Sequence, residues 1–188
     1  MFILLIVIGV IVAVVSIGFI AYYVYLFNRF QALRNASEAT LNQIRVALRK
    51  RLDLISQLME ATKSYAKFER ETLERVVQMR SAVIKASPEE VKKIERESRL
   101  LLGRIMAIAE AYPALRTAEM VAKLMDSIKA VEDEIARHRY TYNNIIQEYN
   151  ARIDMFPSNV IARRHNFRKM PYLEVGGREI EERTKIEF

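Results

Sequence analysis

Residues Phe2 to Ala21 read FILLIVIGVIVAVVSIGFIA, twenty positions without a charged side chain. At 1.5 Å per residue such a run makes a helix about 30 Å long, the thickness of a bilayer's hydrocarbon core. Lipid offers backbone amides no hydrogen-bond partner, so an inserted run must be helical. Tyr22, Tyr23, Tyr25 and Phe27 follow at once, as rings do where hydrocarbon gives way to headgroups. A cleaved signal peptide has a basic leader, a shorter apolar core and a small-x-small cleavage site. Here only Met1 precedes the run, and bulky IAYYVYLF stands where cleavage would fall. The expectation is an uncleaved anchor over residues 1–27, with Phe2, Ile3 and Leu4 at its start and Tyr22 and Tyr23 at its end. Gly9 and Ala13 form a small-xxx-small pair through which two spans can approach. No Lys or Arg lies before the span, whereas Arg29, Arg34 and Arg45 follow within about 20 residues of it. That asymmetry places the N-terminus outside and the bulk of the chain in the cytoplasm.

Beyond the anchor the chain reads as helical. There is no Pro or Gly from Asn28 to Ala86. Leu41, Ile44, Leu48, Leu52, Ile55, Met59, Thr62 and Ala66 recur at steps of three and four, between a heptad and an eleven-residue repeat, as in coiled-coil packing. This predicts one long helix ending near Ala86. In SPEE, Ser87 caps a second helix, Pro88 takes the first helical position and Glu90 completes a capping box. That helix is expected to bury Val91, Ile94, Leu101, Ile105 and Ile108, and to end at Tyr112 before Pro113. A third runs to about Met155 with Leu115, Val121, Leu124, Ile128, Val131, Ile135, Tyr142, Ile146, Tyr149 and Ile153 inward, and Pro157 stops it. No segment alternates at a period of two, so no sheet is expected. The fold class is all-α: an N-terminal transmembrane helix followed by an elongated antiparallel helical bundle over 28–156. The tail, 157–188, has room for one short helix.

The motif YNNIIQEYN repeats a Tyr-Asn pair at Tyr142-Asn143 and Tyr149-Asn150. Seven residues is nearly two turns, so the tyrosines share one stripe and the asparagines another. The rings are expected to pack in the bundle. The amides are expected to bond a neighbouring helix or the loop at Phe156-Pro157.

Charge narrows the partners. The net charge is +7. From Phe27 to Ser87 there are 12 Lys and Arg against 6 Asp and Glu, so most of the excess lies there. Arg29, Arg34, Arg45, Arg49, Lys50 and Arg51 are placed to meet anionic headgroups, as is the tail cluster of Arg163, Arg164, Arg168 and Lys169 around His165. His138, between Arg137 and Arg139, reads as a solvated face residue. Nucleic acid is the less favoured partner, because no recognition motif accompanies the basic residues. Chemistry is sparse. No Cys is present, which removes thiolate catalysis and Cys-ligated metals. No phosphate loop, nucleophile elbow or HExxH occurs. Glu71–Arg75 and Glu95–Arg99 read as exposed i,i+4 pairs, and the adjacent Glu132, Asp133 and Glu134 point different ways. No catalytic residue, metal or cofactor is expected.

These stretches resemble the LemA family. The resemblance runs from the anchor into YLFNRFQALRN, through ALRKRLDLISQLMEATKSYAKFERETLERVVQMRSA and AEAYPALR, to YTYNNIIQEYNARIDMFPSNVIARRHNF, PYLE and the final Phe188. The matching positions are Arg51, Leu54 and Ile55, together with Asp53, Tyr65, Tyr112, Pro113, Tyr142, Asn143, Tyr149, Asn150, Phe156, Pro157 and Asn159, and this last group is assigned to packing. Ala118, Met120 and Asn166 depart from the family's pattern. The resemblance implies a single-span protein with a helical-bundle domain and no catalytic residues to transfer. It also implies a part in organising membranes, through similarity to magnetosome membrane proteins of the Q type. The expected role is a membrane-anchored scaffold that self-associates into a homo-oligomer through its first helix, with lipid and a membrane protein as further partners. The rival roles are an adaptor or cofactor subunit of a membrane enzyme or protease, and a nucleic-acid-binding regulator.

Overall fold

A computed structural model describes residues 1–65, 68–112 and 118–173. Among these residues five α-helices follow one another: α1 (Phe2–Thr62), α2 (Arg70–Ala82), α3 (Pro88–Ala111), α4 (Glu119–Asp154) and α5 (Ser158–Arg164), with a 3-10 turn at Val83–Lys85. Among the described residues there is no strand, so the chain is all-α. Ala66, Pro113, Leu115 and the chain after Leu173 lie outside the described residues.

The chain forms two compact units. The first comprises Met1–Glu38 and Asn144–Met170. Its core is Leu26, Phe30 and Leu33 of α1, Tyr149 of α4, and Ile161 and Ala162 of α5, with Phe27, Ile153 and Phe167 packed against it. Rings dominate. Phe30 meets Tyr149 edge-on at 5.7 Å and stacks on Phe167 at 4.8 Å, arrangements in which the positive edge of one ring or an offset face meets a neighbour's electron-rich face.

The second unit comprises Ala39–Asn143 and Pro171–Phe188, and its core is mainly aliphatic. The stripe Leu41, Ile44, Leu48, Leu52, Ile55, Met59 and Thr62 is buried as the periodicity predicts. The long helix does not reach Ala86, however. It stops at Thr62, whose hydroxyl donates to the carbonyls of Leu58 and Met59 at 2.9 and 3.2 Å. The chain then doubles back: Arg80 pairs with Asp53 at 2.5 Å and Arg45 donates to the Ala86 carbonyl at 2.8 Å. As the number rises in one helix it falls in the other, so α2 runs antiparallel to α1. The reason is burial. A straight continuation would leave Val76, Met79 and Val83 in water, whereas here all three are buried.

The predicted cap forms as expected. Ser87 Oγ accepts from the Glu90 amide at 3.4 Å, and the Glu90 carboxylate accepts from the Ser87 amide at 2.7 Å. The Ser87 amide and the Ser87 hydroxyl, which donates to the same carboxylate at 2.9 Å, hold the Glu90 carboxyl below its ordinary range, the backbone donor contributing most. Within α3 the buried face runs through Val91, Ile94, Leu102, Ile105 and Ala109. Leu101 and Ile108 are only half-buried: Leu102 and Ala109 take their places, while Ile105 is buried as expected. Along α4, Val121, Ile128, Val131, Ile135 and Tyr142 are buried as expected in this unit, and Ile146 and Tyr149 in the first. Leu124 and Ile153 are half-buried.

Candidate functional site

The duplicated Tyr-Asn pair has one chemical use in both units. In the first, Asn150 donates through Nδ2 to the Met170 carbonyl and accepts from the Met170 amide through Oδ1, each at 2.9 Å. In the second, Asn143 does the same to Leu173, at 3.1 and 2.8 Å. A carboxamide carries a donor and an acceptor side by side, so it can satisfy both polar groups of one backbone residue. The non-helical segment after α5 needs such partners, because buried N–H and C=O groups left unpaired are costly. The spacings agree: seven helical residues rise about 10.5 Å and three residues of extended chain span about 10 Å. The amides therefore bind the segment at 170 and 173, and neither a neighbouring helix nor the loop at Phe156-Pro157. The tyrosines pack as expected: Tyr142 and Tyr149 are both buried, and the Tyr142 hydroxyl donates to the Pro171 carbonyl at 3.3 Å. Burial pushes the Tyr149 phenol up, against an opposing effect of Arg34.

The first unit also joins α1 to α4 and to the end of α5 through polar contacts. Arg29 clasps the Glu148 carboxylate at 2.6 and 2.8 Å, and Arg152 reaches the same group at 2.9 Å. Partial burial opposes ionisation of Glu148, but the hydrogen bonds from Arg29 and Arg152 outweigh it and hold the carboxyl below its ordinary range. The Tyr23 hydroxyl and His165 Nε2 lie 2.6 Å apart, and the His165 ring sits 4.7 Å from that of Phe27. His165 is thus tied to the aromatic end of the anchor rather than belonging to a solvated tail.

One expected headgroup contact is corrected. The Arg51 side chain is 1% exposed and cannot reach a headgroup. It donates to Glu132 at 3.0 Å, to the Glu95 carbonyl at 2.8 Å and to Ser98 Oγ. Burial lowers its pKa, and the nearby Glu132 and Glu95 oppose that shift. Arg45 is half-buried on the Ala86 carbonyl, and Lys50 lies 3.7 Å from Glu134. Glu95 is no exposed helix pair either: it is buried and accepts from both Arg99 and Arg139, at 3.2 and 2.7 Å. Arg75 bonds Glu97 across helices, not Glu71. Those bonds raise its pKa. Half-buried His138 lies 3.8 Å from Glu134. Arg34, Arg49, Arg163 and Arg164 are exposed. Arg168 bonds Asn166 at 3.4 Å, and Lys169 pairs with Asp154 at 2.8 Å.

The motif positions divide similarly. Asp53 packs by its pairing with Arg80. Tyr65 and Tyr112 are exposed but lie 5.7 Å apart ring to ring. Phe156 is 83% exposed, so its assignment to packing is overturned: it lies in the turn between α4 and α5. Pro157 and Asn159 are half-buried. Phe2, Ile3, Leu4 and Ala13 are exposed, and the space beside Gly9 is open. Among the described residues no three His, Asp or Glu side chains gather as a metal site.

A helix long and apolar enough to cross a membrane, joined to helical units without strands among the described residues, defines a class: an all-α protein with one candidate span. The chain belongs to the LemA family, whose model matches residues 40–188. Protein LemA of Metamycoplasma hominis is 26% identical over 155 residues, covering 80% of this chain and 70% of the relative. Magnetosome protein MamQ 2 of Paramagnetospirillum magneticum is 24% identical over 192 residues, covering 87% and 71%. Magnetosome protein MamQ of Magnetospirillum gryphiswaldense is 24% identical over 183 residues, covering 83% and 67%. None of these names denotes an enzyme.

Proposed function

We propose that this chain is a single-span membrane scaffold that self-associates through α1 and organises membrane or membrane-protein partners. One observation carries the reading: α1 is a single helix from Phe2 to Thr62, so the element with the uncharged run also supplies core residues to both helical units. An anchor built that way gives a bundle no freedom to leave the membrane. Relatives named as magnetosome proteins support a role tied to a cell structure rather than to a reaction. Gly9 and Ala13, with open space beside the glycine, give two copies a place for close helix approach. Arg29, Arg34 and Arg45 favour a cytoplasmic location for the bulk of the chain.

The test is the native mass of the full-length protein in mild detergent, by light scattering. A discrete multiple of 21.9 kDa supports self-association, and a lone monomer sinks it. The chain has no Cys, so Arg49→Cys labelled with an impermeant maleimide reports topology: labelling in sealed, correctly oriented cells would reverse the proposed orientation.

A further inference from the structure

The turn into α5 shows apolar surface where a solvated turn would show polar groups. Met155, Phe156 and Val160 are 62%, 83% and 57% exposed. Beside them, within the first unit, lies a cavity of about 390 Å³. Its other walls include Phe19, Tyr22, Tyr23, Leu26 and Pro157, and Arg164 is the one charged residue lining it among the described residues. The Tyr23–His165 contact ties the end of α5, on one side of this cavity, to α1 on the other.

Two observations together select the occupant. Phe19 and Tyr22 belong to the end of the uncharged run, so once α1 is inserted the cavity lies where hydrocarbon meets headgroups. Arg163 and Arg164 form the basic last turn of α5, are exposed, and pair with no carboxylate among the described residues. A soluble peptide would meet the charge but not the depth. A zwitterionic lipid would meet the depth but not the charge.

We infer that this cavity, with the exposed face of α5, binds an anionic phospholipid, its acyl chain against Phe19, Leu26 and Val160 and its phosphate on Arg164 with Arg163 beside it. The inference rests on the reading that α1 inserts in a membrane. It makes α5 an interfacial element, its apolar side chains in the acyl boundary and its arginines at the headgroups. It also gives the exposure of Phe156 a physical reason, since that ring then faces lipid instead of water.

The chain has no Trp, so Phe156→Trp adds a single fluorescent reporter by a conservative change. The full-length variant is reconstituted in nanodiscs of phosphatidylcholine with a minor fraction of phosphatidylglycerol, bromine being carried on the acyl chains of one lipid or the other. The expected emission is blue-shifted. It should be quenched more by brominated phosphatidylglycerol than by the same fraction of brominated phosphatidylcholine. Neutralising Arg163 and Arg164 to Gln should reduce that preference about fivefold per arginine, with the circular dichroism unchanged. A separate reporter, Val14→Trp, reads the span itself. If Val14→Trp is quenched while Phe156→Trp emits as in water, the lipid site is wrong and the anchor stands. Equal quenching by both lipids removes the anionic preference and overturns the site as inferred. If Val14→Trp is also unquenched, both readings fall.

Discussion

The two units solve the same problem, holding α1 against α4, with opposite chemistry. In the first, rings make the core and the charges stay at its rim: Phe30, Tyr149 and Phe167 pack inside, while Arg29, Glu148 and Arg152 remain partly exposed. In the second, aliphatic side chains make the core and a guanidinium lies within it, on Glu132, the Glu95 carbonyl and Ser98. Rim pairs keep their water and contribute little. A buried cation has given up its water, so its partners must be in place or the unit does not form. The aromatic unit therefore tolerates loss of a charge, and the aliphatic unit does not.

The largest expected effects break that comparison. Arg51→Ala should destabilise by about 3–5 kcal/mol, because it leaves the partners of a buried charge unpaired. Phe30→Ala should cost a similar amount, about 3–5 kcal/mol, through a cavity among rings. Hydrogen exchange of the full-length protein in detergent separates the two: Arg51→Ala should lower protection in the second unit and Phe30→Ala in the first. If each change lowers protection equally in both, the units are one cooperative body and the contrast fails.

The asparagine clamps sharpen the comparison at smaller cost. Asn150→Ala removes both bonds to Met170, an effect of about 1–3 kcal/mol. Trypsin cutting at the exposed Arg168 and Lys169 should accelerate in that variant, and less in Asn143→Ala, whose clamp holds Leu173. Equal acceleration in the two would mean that the clamps act as one.

The smallest effect is electrostatic. Glu148 titrates lower in the folded protein than in the unfolded chain. Its stabilisation is therefore present above the ordinary carboxylate pKa and is lost as pH falls through the lowered folded value. Thermal melts between about pH 7 and pH 3 should show a shallower acid decline for Glu148→Gln, with a loss at neutral pH below about 1 kcal/mol because the group is partly exposed. An unchanged acid decline would remove Glu148 from the rim's contribution.

Some of this could be read from residues alone, for a definite physical reason. The uncharged run, the stripe from Leu41 to Thr62 and the SPEE cap are local: membrane length, helical period and capping geometry act over a few turns and leave their pattern in the sequence. The all-α class follows from them. The site is legible only in part. The spacing of Tyr142 and Tyr149 announces two buried rings, but nothing near Asn143 and Asn150 says that their amides hold residues 30 and 20 positions later. The end of α1 at Thr62 has no Pro or Gly to mark it. It is decided by α2 folding back to bury Val76, Met79 and Val83. Arg51 reads as one of a basic cluster, and only partners brought from α3 and α4 turn it inward. Sequence by itself determined that the chain is helical, where α3 starts and which stripe of α1 is apolar. Tertiary structure decided which polar groups lose their water, because that depends on residues far along the chain that folding alone brings within hydrogen-bond reach.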